Sequence, residues 1–211
     1  MKRRGARKIR HFSMIRDFSL ADLITLSNGF AGTGSILATL QYMDTRDRRI
    51  LWLAFALPLV AMVLDFLDGR VARWRHRSSP LGRELDSLAD LISFGVAPAV
   101  LGFAVGLRGA WDALVLVYFV SCGLSRLARY NVTAADLADE SGKVRHFEGT
   151  PIPTSVVLVA LLALFTWLGH IDADLPLGKI RFFGGAFHPL VVMYAISGSA
   201  MISKTLRIPK P

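Results

Sequence analysis

The chain has 211 residues, 53% of them hydrophobic, and a formal charge of +9. A mean hydropathy of +0.44, with several apolar runs near the roughly 20 residues that cross a bilayer, excludes an ordinary soluble domain. Beside membrane spans the positive charge reads as basic loops that set topology and lean on anionic lipid, so no nucleic-acid partner is expected.

Residues 1–19 carry seven Lys or Arg, with Ile9, Phe12, Ile15 and Phe18 at every third position. This pattern predicts a basic amphipathic helix lying at the membrane interface. The apolar run after it is too long for the core of a signal peptide, so the segment is expected to be retained. Leu20 to Met43 is the first expected span. Its small residues Gly29, Gly32 and Gly34 allow close helix approach, and the amide of Asn28 requires partners once buried. Ile50 to about Leu67 is the second span, delivering Asp65 and Asp68 at its end. The third runs from about Glu84 to Leu107, with Asp86 and Asp90 in its first two turns. Ala110–Leu127, Ile152–Gly169 and Phe187–Ser203 complete the set, with Cys122 read as packing inside the fourth.

The expected fold is therefore all-α: a polytopic domain of six transmembrane helices over residues 20–211, preceded by the interfacial helix. The segments 1–19, 67–85, 126–151 and 204–211 hold 7, 5, 4 and 3 Lys or Arg, against 3, 1 and 2 in 43–49, 107–110 and 169–186. The positive-inside rule then puts both termini and the acidic motif on the cytoplasmic side of the cytoplasmic (inner) membrane.

The four acids carry the chemistry. A lone charge inside a span costs about 2.5 to 3.5 kcal/mol even on lenient insertion scales, so these must be compensated. Asp65 and Asp68 are i, i+3 and Asp86 and Asp90 are i, i+4, so each pair shares a helix face. The stretch between them contains Ser78-Ser79-Pro80 and Gly82 and can reverse the chain, bringing the faces together. Either pair alone is common on solvated helices. Four convergent carboxylates between apolar runs form a hard-oxygen cage for Mg2+ or Mn2+, and no Cys or His stands at zinc-ligand spacing. Gly69 allows close backbone approach to a phosphate, and Arg73 can clamp phosphate oxygens. Ala72 suits close packing, Gly82 gives the turn room, and Ser79 offers a hydroxyl or simply turns the chain. Arg126 and Arg129 share a face at the end of the fourth span, either as an anion pocket or as a snorkelling pair.

Written out, Asp65-x2-Asp68-Gly69-x2-Ala72-Arg73-x8-Gly82-x3-Asp86-x3-Asp90 resembles the signature of the CDP-alcohol phosphotransferase family, integral membrane enzymes that join a CDP-activated group to an alcohol. The resemblance implies that Asp65, Asp68, Asp86 and Asp90 hold two Mg2+ or Mn2+ ions, with Asp90 also the catalytic general base. It further implies that Thr25, Asn28, Gly69, Ala72, Arg73, Ser79 and Gly82 bind CDP-diacylglycerol. Arg126-Leu127-Ala128-Arg129-Tyr130-Asn131, Gly149-x-Pro151-x-Pro153 and the tail Met201–Pro209 are similar to the branch of the family whose acceptor is L-serine. That branch implies Arg126, Arg129 and Asn131 at the acceptor and a homodimer surrounded by membrane lipids. Thr150 and Thr154-Ser155 depart from its pattern. The alternatives are another acceptor, such as glycerol phosphate, inositol phosphate or choline, and a cation transporter, which the apolar centres of the other spans oppose.

Overall fold

The computed structural model describes residues 20–75, 80–136, 146–182, 184–203 and 207–209. The expected interfacial helix at 1–19 and the turn residue Ser79 lie outside the described residues.

Helix α1 (Leu20–Thr45) runs antiparallel to α2 (Arg48–Arg75). A third rod follows, formed by α3 (Pro80–Asp90), a π-helical turn (Leu91–Val96) and α4 (Ala97–Val105). Next come α5 (Ala110–Asp136), α6 (Val156–Trp167) after a 3-10 turn at Ile152–Ser155, and α7 (Val192–Ile202). Among the described residues, Leu20–Thr45, Arg48–Val71, Leu81–Val105 and Ala110–Val132 are long and apolar enough to cross a membrane. Ile152–Trp167 and Pro189–Ile202 are shorter apolar helices, where two full spans were expected.

The pattern of burial in α1 is inverted relative to a water-soluble helix. Its buried stripe is Asp22, Thr25, Asn28, Ala31, Gly32, Ser35, Ala38, Thr39 and Tyr42, spaced three or four apart on one face. Large apolar residues point outward: Phe30 is 83% exposed while Asn28 is fully buried. Small and polar groups facing neighbours, with hydrocarbon facing out, is the arrangement that lipid favours, and it marks an integral membrane protein. Gly32 shows why the stripe must be small: a Cβ there would lie 2.3 Å from Ser93 Oγ.

Two prolines inside spans explain two cross-helix bonds. Pro58 has no N–H to offer the carbonyl of Ala54, four residues back; the Ser35 hydroxyl of α1 donates to that oxygen at 2.7 Å. Pro98 likewise cannot serve Phe94, and the Ser155 hydroxyl donates to the Phe94 oxygen at 2.6 Å. Ser155, one of the departures from the family pattern, thus has a structural use. Helix α7 docks where Gly102 leaves room for Tyr194, whose hydroxyl donates to the Pro98 oxygen at 2.6 Å.

The all-α expectation needs correcting in detail. Two antiparallel ribbons of three-residue strands are present: β1 (His146–Glu148) with β4 (Arg207–Pro209), and β2 (Ile180–Phe182) with β3 (Gly185–Phe187). The first joins the segment before α6 to the chain's tail. Gly149, at φ +76°, backs onto the end of α7, where a Cβ would meet the Met201 oxygen, and the Thr150 N–H donates to the Ala200 oxygen at 3.1 Å. Helix boundaries also differ. Helix α2 does not end near Leu67 but continues to Arg75, because Arg70 to Arg75 contains no breaker. Gly82 lies inside α3 and gives no turn.

Candidate active site

The two acid pairs converge as their spacing requires. Asp65 and Asp68 sit near the end of the membrane-length stretch Arg48–Val71 of α2, and Asp86 on α3. One carboxylate oxygen from each of these three lies within 4.8 Å of the others. Asp90, at the end of α3, stands outside that tight trio but within reach of the charge of Asp65, Asp86 and Asp68. At an effective dielectric near 20, unit charges this close repel by roughly 3 to 4 kcal/mol per pair. An oxygen of Asp86, Oδ1, is also buried without a hydrogen-bond partner. Clustered hard oxygens, mutual repulsion and an orphaned acceptor fit a divalent cation such as Mg2+ or Mn2+.

Helix α1 supplies the framework for two of these acids. Thr25 Oγ1 lies 2.8 Å from Asp68 Oδ2 and 3.1 Å from the Ala21 oxygen, so its single proton can serve either. Asn28 Nδ2 donates to Asp90 Oδ1 at 3.1 Å. Asn28 is itself fixed through its main chain, since the Ser93 hydroxyl of the π-turn donates to the Asn28 oxygen at 3.0 Å. Thr25 and Asn28, expected at the nucleotide, are hydrogen-bonded to two of the acids. The Asn28 Oδ1 atom remains buried and unpartnered.

The end of α5 closes the site. Arg126 is buried, its Nε has no partner, and Asp90 is the leading attractive charge acting on its guanidinium. Arg129 is half-buried one turn on. Asn131, expected at the acceptor, is engaged by α3: it accepts from the Ser87 hydroxyl at 3.1 Å, and its Nδ2 donates to Glu84 Oε2 at 3.2 Å. Glu84 and Ser87 were not singled out from sequence. Nothing marked them there beyond their i, i+3 spacing on the acidic helix. Gly69 follows Asp68 on α2, half-buried, and Gly82 occupies the first turn of α3. Ala72 and Arg73 lie on the last turns of α2.

Fold and site together define a class: a helical integral membrane protein carrying, at one end of its bundle, a carboxylate cluster that could hold a divalent cation. The chain belongs to the CDP-alcohol phosphatidyltransferase family, whose sequence profile matches residues 18–197. A CDP-diacylglycerol–serine O-phosphatidyltransferase of Saccharomyces cerevisiae is 48% identical over 204 residues, 95% of this chain and 74% of its own length. An enzyme of the same name from Helicobacter pylori is 33% identical over 190 residues, 89% of this chain and 70% of its own. An archaetidylserine synthase of Methanothermobacter thermautotrophicus is 34% identical over 158 residues, 74% of this chain and 62% of its own.

Proposed function

We propose that this protein transfers a phosphatidyl group from CDP-diacylglycerol to L-serine, releasing CMP. The observation that carries the reading is the 48% identity to a serine-using enzyme over 95% of the chain, a stretch long enough to take in the four acids and Arg126 to Asn131.

The chemistry follows from the site. The serine hydroxyl oxygen bonds to the phosphorus of the phosphatidyl group as the bond from that phosphorus to the CMP oxygen breaks. Mg2+ or Mn2+, two ions in this reading, would supply positive charge that stabilises the phosphates' developing negative charge. Asp65, Asp68 and Asp86 would hold the cations, and Thr25 fixes one oxygen of Asp68. Asp90 receives the hydroxyl proton, a general-base contribution of roughly two to four decades in rate. The Asn28 amide holds Oδ1 of Asp90 and leaves the other oxygen for that task. Arg126 offers its buried guanidinium to the carboxylate of serine. Gly69, Ala72, Arg73, Ser79 and Gly82 belong to the nucleotide side of this reading. Purified protein given CDP-diacylglycerol and a panel of alcohols should release CMP with serine at least tenfold faster than with glycerol phosphate, inositol phosphate or choline. Faster release with any of those three reassigns the acceptor.

The same reading includes six spans, with Ile152–Trp167 and Pro189–Ile202 as the last two, and a homodimer. An even number of spans puts both termini on one side, and the charge distribution makes that side cytoplasmic, together with the carboxylate cage. Asp174, exposed in the connection after α6, then faces outward. Because Cys122 is buried, the background is silent, and Asp174→Cys should react with an impermeant thiol reagent on intact cells. Labelling only after permeabilisation reverses the topology.

A further inference from the structure

The end of the bundle remote from the carboxylate cage holds a second polar constellation. Asp112, in the first turn of α5, is fully buried. It accepts the Gly109 N–H at 2.7 Å, the His188 N–H at 2.8 Å and the His188 ring Nδ1 at 2.5 Å. With Asp112 ionised, Nδ1 of His188 donates to it and Nε2 is left at the other edge of the ring. That ring, in a residue only 8% exposed, lines a cavity of about 310 Å³ with Gly106, Arg108, Asp172 and Lys179.

The charges around the cavity do not cancel. Asp172 is matched by Arg46 at 2.8 Å and by Arg108 at 3.5 Å. Arg108 also closes the end of α4, donating to the Ala104 oxygen at 2.6 Å and to the Phe103 oxygen at 3.1 Å. Lys179 has no ion-pair partner among the described residues, and neither does Nε2 of His188. The half-exposed Asp172 is thus matched by two arginines while Lys179 shares the cavity wall, and the charge of Asp112 is absorbed by its N–H donors. A metal ion would meet Arg108 and Lys179; an anion would meet donors.

We propose that this cavity, with Lys179 and Arg108 in its wall beside the His188 ring, binds a phosphate group, and that its source is the headgroup of an anionic phospholipid in the leaflet opposite the carboxylate cage. Asp90 and Val105 are 15 residues apart along one rod, about 22 Å at 1.5 Å per residue, so the cavity and the carboxylate cage lie toward opposite ends of a helix long enough to cross a membrane.

The test uses the full chain in detergent micelles, with 15N-labelled histidine and the His188 ring signal assigned by its loss in His188→Gln. Dihexanoyl phosphatidylglycerol should shift the ring signal of His188, which lines the cavity. Lys179→Gln, at an exposed position that does not threaten folding, should weaken binding about fivefold, the upper range for a surface ion pair. Dihexanoyl phosphatidylcholine, whose headgroup supplies its own cation, should bind several-fold more weakly. Inorganic phosphate binding as tightly as the lipid keeps the phosphate site but assigns it to free anion. No shift with either probe, equal binding of the two lipids, or a Lys179→Gln variant that binds as well as the parent overturns the proposal.

Discussion

Asp68→Asn is expected to lower phosphatidyl transfer by at least three decades while leaving the fold intact. Asp68 is the buried member of the trio Asp65, Asp68 and Asp86, and Asn cannot supply an anionic ligand. Losing a ligand of a catalytic cation forfeits several kcal/mol of charge stabilisation, at about 1.4 kcal/mol per decade. Stability should move the other way. Without metal the three carboxylates repel, so removing one charge relieves strain, and the metal-free variant should melt no lower than the metal-free parent. The parent should gain melting temperature with Mg2+ or Mn2+, because a ligand that binds only the folded state stabilises it, and the variant should lose that gain. Thr25→Val, which removes only the hydroxyl 2.8 Å from Asp68, should cost one to two decades, the loss of about 1.5 to 3 kcal/mol for a hydrogen bond to a charged group. A variant Asp68→Asn that turns over normally, or that keeps the metal-dependent gain in stability, would falsify the assignment of this carboxylate.

How much of this was legible in the chain depends on whether an interaction is local. The pairs Asp65/Asp68 and Asp86/Asp90 could be read because helical periodicity alone puts each on one face, and apolar flanks make their charge costly enough to demand convergence. Thr25 and Asn28 were visible as polar groups in an apolar run, but their targets were not: Asp68 and Asp90 lie 43 and 62 residues away, and only packing chooses them. Ser35 and Ser155 illustrate a rule that is half visible. Pro58 and Pro98 announce that the carbonyls of Ala54 and Phe94 lose a donor, while the helix that supplies the hydroxyl is decided by tertiary structure. The π-turn at Leu91–Val96 has no such announcement, since its apolar residues fit an α-helix equally well. The ribbon strands are three residues long, too short for alternation to register. The partners of Asn131 were hidden for a related reason. Its amide looked available beside two arginines, yet Ser87 and Glu84 of α3 occupy both its ends.

Arg126→Lys is expected to raise the Michaelis constant for serine by roughly 10- to 100-fold and to leave that for CDP-diacylglycerol within about twofold, which corresponds to losing about 1.5 to 3 kcal/mol from one charged hydrogen bond. Serine differs from the other acceptor alcohols in carrying a carboxylate beside its ammonium, so its site requires a fixed cation near the base. Both Arg126 and Arg129 suit that role from their spacing alone, and the structure separates them. Arg126 is buried, its Nε is unpartnered, and Asp90 is its leading attractive charge; Arg129 is more exposed and already engaged. A buried donor without an acceptor is costly, and a carboxylate bound beside Asp90 would relieve it. Lysine keeps the charge but not the planar fork that pairs with a carboxylate, so the substitution tests recognition separately from electrostatics. Equal rises in both constants would make Arg126 a phosphate clamp for the lipid nucleotide. A fall in turnover with both constants unchanged would make it a positioning residue for Asp90, and the preference for serine would then need another cation.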